Sequence, residues 1–197
     1  GYKNAFQVKL LPQDADPMDI RYNIIQWIHR STRGWSYGAS INDPRTGEII
    51  KGQVSLGSLR DRQDFLIAEG LLQPYEDGKP TSDKMLKMAI ARLHQLAAHE
   101  VGHTLGLQHN FAASTNDRAS VMDYPPPVFT LAADGTVDLS AAYTTEIGTW
   151  DKRAILYGYQ DFPAGTNEDE ALKGILTETL KQGQVFITDE DARPAGG

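Results

Sequence analysis

The run His99-Glu100-Val101-Gly102-His103-Thr104-Leu105-Gly106-Leu107-Gln108-His109 constrains this chain more than any other stretch. It has the form H-E-x-x-H-x-x-G-x-x-H. His99 and His103 are four residues apart, so on a helix they share one face. Two imidazoles so placed reach a single metal ion at about 2.0–2.1 Å, the usual Zn–N distance. Glu100 projects beside that metal rather than onto it, where a carboxylate can accept a proton from a coordinated water. Gly106 plays a different part. Glycine tolerates positive φ, so it can end the helix and swing His109 back as a third ligand. Three protein nitrogens and one open position describe a catalytic zinc site, whereas structural sites are usually closed by four ligands, often cysteine. The chain has no cysteine. The other two histidines, His29 and His94, read as ordinary surface or packing residues; His94 lies five positions before His99 and points off the metal-facing side.

Composition narrows the class. A length of 197 residues suits one domain, residues 1–197, with a good core. A hydrophobic content of 40% and a charged content of 23% are ordinary for a globular protein. The net charge of −7 provides no electrostatic footprint for nucleic acid or an anionic membrane. Without cysteine there are no disulfides and no thiol chemistry. No apolar run in this stretch is long enough to span a membrane, and none reads as a signal peptide, which says nothing about a longer parent. The chain starts Gly1-Tyr2-Lys3 and stops at Ala195-Gly196-Gly197, and it reads as a domain excised from a longer protein with flanking domains.

Periodicity sets out the elements. Phe6, Val8 and Leu10 alternate with polar residues and predict a strand. Asp16-Pro17 reads as a helix start, with Ile20, Ile24, Trp27 and Ile28 as its apolar stripe, ending before Gly34. Residues 35–41 alternate again. Asp43 to Gly47 is a turn, and Ile50, Gly52, Val54 and Leu56 face one way against Lys51, Gln53 and Ser55, which makes a hairpin. Arg60 to Leu72 is helical or a helix-containing connection. Thr81 or Ser82 caps the long helix carrying the histidines, with Leu86, Ile90, Leu93 and Ala97 as its buried face. A polar loop, 114–120, leads to Ser120-Val121-Met122-Asp123-Tyr124 and then Pro125-Pro126-Pro127, a rigid wall beside the cleft. Val128 to Leu139 forms a small hairpin broken at Asp134-Gly135. Thr149 to Tyr157 and Glu168 to Lys181 are helices, and Val185-Phe186-Ile187 is a short strand. There is no internal repeat.

The long histidine motif followed by Ser120-x-Met122-x-Tyr124 resembles the metzincins, and the tail of the methionine turn looks like the astacin and serralysin version. In that clan the methionine packs beneath the zinc-binding histidines, and Met122 matches it. The tyrosine two places on can ligate zinc and swing towards the reacting substrate, and Tyr124 matches that position. Asn110 stands where astacins have Glu, reprolysins Asp and serralysins Pro. Residues 21–35, 43–49 and 150–159 resemble the catalytic domain of a bacterial family of large, mostly uncharacterised zinc-dependent metzincin proteins, in which the domain sits inside a longer exported polypeptide. The similarity covers nearly the whole chain.

The resemblance implies a mixed α/β, zincin-like fold: a twisted mixed sheet with helices, an upper lobe over about 1–107 and a lower lobe over about 108–197, with zinc at the floor of the cleft between them. It implies a zinc-dependent endopeptidase acting on a peptide or protein, with His99, His103 and His109 as ligands, Glu100 as general base and Tyr124 assisting, in an exported (periplasmic, cell-surface or secreted) parent. The strand around residues 49–58 is expected to pair with an extended substrate. Two alternatives stay open: a zinc-binding recognition module without turnover, and a zinc hydrolase of a non-peptide amide or ester.

Overall fold

The computed structural model of the chain describes residues 2–32, 34–72, 75–76, 79–80 and 82–192. Helix α2, Ser82–Thr104, is the spine of the molecule. Three apolar clusters gather along it: one around Met88 with Ala68, Leu139, Ala142 and Tyr143, one around Leu96 with Val54 and Leu56, and one against Ala98 containing Met122, Val121, Ala119, Ala113 and Trp150. The buried face differs from the expected one. Leu86 and Ile90 are exposed, while Met88, Gln95, Leu96 and His99 are buried. The apolar pattern misleads because the true inner stripe is interrupted by polar side chains, Gln95 and His99 among them, which carry the site rather than the core. The expected caps of this helix, Thr81 and the side chain of Ser82, lie outside the described residues.

A mixed three-stranded sheet covers one side of α2. Its strands are β1 (Ile24–Ile28), β2 (Tyr37–Asn42) and β3 (Ile49–Gly57), in the order β1-β3-β2. β2 and β3 form the expected antiparallel hairpin through the turn at residues 43–47, and β1 runs parallel to β3 with Ile24 beside Gln53. Two corrections follow. The helix expected from Asp16 to Gly34 is instead a turn followed by β1. Asp16 accepts from the backbone N–H of Met18 at 2.8 Å, and Asp19 accepts from that of Arg21 at 2.9 Å. Residues that cap helices also close such side-chain turns, and the β-branched run that follows prefers a strand. The second correction concerns β3: it is the central strand, paired on both sides, so it has no free edge for a substrate.

The polar side of the β3 alternation is not turned to solvent: Ser55 and Lys51 are both buried, whereas Ile50 is exposed. The Lys51 ammonium donates to the carbonyls of Pro17, Asp19 and Tyr22, fastening the segment before β1 onto the sheet. Phe6, Val8 and Leu10 are all exposed and form no strand, because no described segment pairs with them.

Helix α1 (Leu59–Leu71) packs on α2. Short hairpins follow: β4 with β5 (Tyr75–Glu76 and Lys79–Pro80), and β6 with β7 (Thr130–Leu131 and Val137–Asp138), the latter turning at Asp134-Gly135 as expected. Helices α3 (Thr149–Tyr159) and α4 (Glu168–Lys181) pack together, and α4 is capped by Asn167 accepting from the Glu170 N–H. A four-residue helix, α5 (Asp189–Ala192), ends the described chain. The segment 185–187 before it is not a strand. It is a strap, tied by the Phe111 N–H donating to the Ile187 carbonyl at 2.8 Å and by Phe186 stacking on Trp150. The fold is mixed α/β.

Candidate metal centre

The helix-ending turn builds the first half of the site. Gly106 has φ of +86°, its N–H donates to the His103 carbonyl, and the Leu107 N–H reaches back to the Gly102 carbonyl, both at 3.0 Å. This is the glycine-dependent helix stop expected of the motif. One consequence is local: the Leu107 carbonyl lands 2.8 Å from His103 Nδ1. The other is the return of the chain, which brings His109 beside the first two imidazoles.

The ligand-type atoms of His99, His103 and His109 all lie within 4.8 Å of one another. Each imidazole is oriented from behind. His99 Nδ1 is 2.7 Å from the Val121 carbonyl, His103 Nδ1 faces the Leu107 carbonyl, and His109 Nδ1 is 2.6 Å from the Asp189 carboxylate. A carbonyl can only accept, so Nδ1 of the first two must carry the proton, and in a neutral ring Nε2 then presents a lone pair. Burial holds both neutral: it pulls His99 down to about 4 and lowers His103. The Nε2 atoms of His99 and His103 therefore point lone pairs at each other across 3.2 Å. Two nitrogens on a tetrahedral zinc stand about 3.3 Å apart. An arrangement of inward lone pairs with no proton between them fits a bound cation and is unfavourable without one.

Glu100 is buried beside His99, and the Gly38 backbone of β2 lies close against the Glu100 backbone carbonyl. Burial pushes this carboxyl up to about 7, against the downward pull of the Gly38 backbone and of the Arg92 and Arg60 charges. Tyr124 lies across the open side of the cluster, with its hydroxyl 2.7 Å from His109 Nε2 and its ring against those of His99 and His109. Burial raises its phenol. Met122 is fully enclosed, in the cluster with Trp150 and Ala113, and its sulfur lies against Gly102, the residue preceding His103. His29 and His94 are exposed and away from the cluster.

Several residues for which the sequence suggested no role hold these in place. Asp151, at the start of α3, accepts from the Ser120 hydroxyl at 2.5 Å, the Val121 N–H at 2.9 Å and the Gly148 N–H at 2.6 Å. It thereby locks the methionine turn, whose Val121 carbonyl orients His99. Asp123 ties the same turn to the Ser114 hydroxyl and N–H. Asn110 is completely buried; its N–H donates to the Met122 carbonyl, and its side chain binds Val185 and Ile187. The only signal for Asp151 was its place in the Trp150-Asp151-Lys152-Arg153 run, and for Asn110 its position directly after the third histidine. A cavity of about 220 Å³ adjoins the cluster, lined by His103, His109, Gln108 and Thr188 among others. A larger apolar one, about 590 Å³, lies behind the helix stop between α3 and α4 and touches none of the three histidines.

A histidine triad converging from a helix and its glycine-ended turn, near a buried methionine, is a group that could hold a metal ion. The family described as Met-zincin matches residues 81–196, more than half of the chain, and the chain belongs to that family. No curated protein and no solved structure matches it.

Proposed function

We propose that this chain is a zinc-dependent endopeptidase. The observation that carries the reading is the convergence of three imidazoles, whose ligand-type nitrogens lie within 4.8 Å of one another, beside the buried side chain of Glu100. His99, His103 and His109 would hold the metal. Bound zinc supplies Lewis acidity to a water and to a scissile carbonyl, bringing the water's pKa from about 15.7 towards about 7.

The chain's own residues do the rest. Glu100 takes a proton from the attacking water and returns it to the leaving amine as the C–N bond breaks. Tyr124 has a hydroxyl at the cluster and a half-exposed ring, so it can donate to the oxygen on which charge develops. β2 is an edge strand among the described residues, its Gly38 backbone lies against that of Glu100, and an extended peptide could pair along its outer side. Among the described residues no helix is long and apolar enough to cross a membrane.

Glu100→Gln tests the assignment. The expected result is zinc content and thermal stability near those of the unaltered chain, with turnover of a quenched peptide library lower by about 10²–10⁴-fold. Retained turnover in the zinc-loaded variant would move the base elsewhere. Zinc binding by the unaltered chain without chelator-sensitive cleavage of any peptide would favour a recognition module, and cleavage of esters or non-peptide amides alone would favour the other hydrolase.

A further inference from the structure

The three imidazoles are not equivalent. His99 and His103 rest on neutral backbone carbonyls, but His109 rests on a carboxylate, Asp189, that lies eighty residues further along the chain. The segment that delivers Asp189 is anchored at every step. The Gln184 side chain donates to the Thr149 hydroxyl at 2.8 Å. Asn110, the residue next to His109, donates from Nδ2 to the Val185 carbonyl at 2.9 Å and accepts from the Ile187 N–H at 3.2 Å. Phe186 stacks on Trp150 with ring centroids 5.5 Å apart and planes nearly parallel. The Asp191 carboxylate then accepts from the Thr188 N–H, starting the short helix α5 on which Asp189 is the first residue.

We infer that Asp189 is a positioning residue for the metal centre, and that the strap 184–189 is a working part of that centre rather than a tail. The inference rests on the zinc reading above and extends it to a group that the histidine motif does not contain. A carboxylate at 2.6 Å takes the Nδ1–H of His109, fixes the tautomer with Nε2 open towards the cluster, and makes that nitrogen a stronger donor than a carbonyl partner would. His109 needs this most. His99 and His103 are fixed by the α2 backbone, whereas His109 follows the helix stop on irregular chain and owes its ring orientation to what lies behind it. Asn110 couples the two ends, because one buried side chain adjacent to the ligand grips the segment that supplies the ligand's partner.

The test compares zinc affinity, by competition with a chromophoric chelator, with the melting temperature of the metal-free protein. It uses the unaltered chain, Asp189→Ala, Asp189→Asn and His103→Ala. Asp189 is half-exposed and apart from the apolar clusters, so the metal-free Tm of Asp189→Ala is expected within about 2 °C of the unaltered chain, since surface substitutions are usually near neutral. Its zinc dissociation constant is expected to rise by about 10–100-fold, and Asp189→Asn, which keeps an acceptor oxygen, to recover part of the loss. Zinc affinity within threefold of the unaltered chain in Asp189→Ala overturns the inference. So does a loss of affinity accompanied by an equivalent fall in metal-free stability, which would make the residue merely structural. A failure of the unaltered chain to bind zinc more tightly than His103→Ala would instead overturn the metal-centre reading, and this inference with it.

Discussion

The sulfur of Met122 occupies the space into which a Cβ at Gly102 would project. Met122 is fully buried, so helix α2 and the methionine turn meet here without slack, at the residue before His103. The glycine between the first two histidines is thus required by close approach, since its φ is helical.

Gly102→Ala therefore sets two effects against each other. Alanine gains about 1 kcal/mol of helix propensity over glycine, and overpacking a tight contact costs about 1–3 kcal/mol. The expected net change is a loss of up to about 2 kcal/mol. In a Met122→Ala background the obstruction is gone, and the same change should be neutral or stabilising. Urea unfolding of the four metal-free proteins gives the coupling, expected at about 1–2 kcal/mol. Additivity within about 0.5 kcal/mol would show that Met122 yields freely.

Asp151 anchors the methionine turn from the opposite side. It is 2% exposed and accepts from Ser120, Val121 and Gly148. Asp151→Asn puts an amide N–H₂ against donors, so at least one buried N–H or hydroxyl loses its acceptor. Each such loss costs about 1–3 kcal/mol, and the expected total is about 2–4 kcal/mol in denaturant midpoint experiments. Because the Val121 carbonyl orients His99, zinc affinity should fall as well. A variant as stable as the unaltered chain would show that the turn holds without α3.

Asp64 on α1 makes stability depend on pH in the direction opposite to most carboxylates. It is 1% exposed, and its Oδ2 has no hydrogen-bond partner among the described residues. Arg60 and Asp61 of its own helix, Arg92 of α2 and Tyr143 face it. Burial pushes its carboxyl up to about 6 from 3.8, in spite of the two arginines. A folded-state pKa above the unfolded one means that the native chain holds the proton more tightly. The contribution of this group to stability is therefore largest below about pH 4, declines as pH rises to about 6, and is constant above. The full difference is on the order of 3 kcal/mol. Asp64→Asn mimics the protonated form, and part of its gain is offset because Arg92 loses a nearby opposite charge. The expected result is a variant about 1–2 kcal/mol more stable at pH 8 and little changed at pH 4. Lower stability at pH 8 would mean that ionised Asp64 supports Arg92 more than its burial costs.

What the sequence makes legible follows the range of the interactions involved. The helix stop at Gly106, the hairpin across residues 43–47 and the span of α4 are set by neighbours in the chain, and they fall where periodicity and capping residues put them. The early segment misleads because Asp16 and Asp19 close turns with the same side-chain chemistry that starts helices. Lys51 escapes its alternation because a buried ammonium needs carbonyl partners some thirty residues away, in Pro17, Asp19 and Tyr22, which no local pattern reveals. The inner face of α2 is hidden for a related reason: polar residues such as Gln95 lie inside it, and Gln95 finds its acceptor at Val121. In the site itself, the histidines and Glu100 announce themselves by spacing. Asp151, Asn110 and Asp189 act through contacts made only after the chain has folded.

Tyr124 carries the last prediction. Its hydroxyl lies 2.7 Å from His109 Nε2 rather than on a backbone carbonyl. Since His109 Nδ1 gives its proton to Asp189, Nε2 accepts and the phenol donates. The residue is 59% exposed and lies over the cluster, so the hydroxyl can leave His109 without unpacking a core. Tyr124→Phe keeps the ring contacts with His99, His109 and Phe111 and removes only the donor. If that donor serves the developing oxyanion, kcat should fall by about 10²–10³-fold. Zinc content and Tm should stay near those of the unaltered chain, because an exposed hydroxyl contributes little to folding. KM should move less than kcat, since the hydrogen bond forms as charge develops and not when substrate binds. Full activity, or a loss no larger than the loss of stability, would assign Tyr124 to the architecture of the turn. An unchanged kcat with a raised KM would assign it to substrate binding alone.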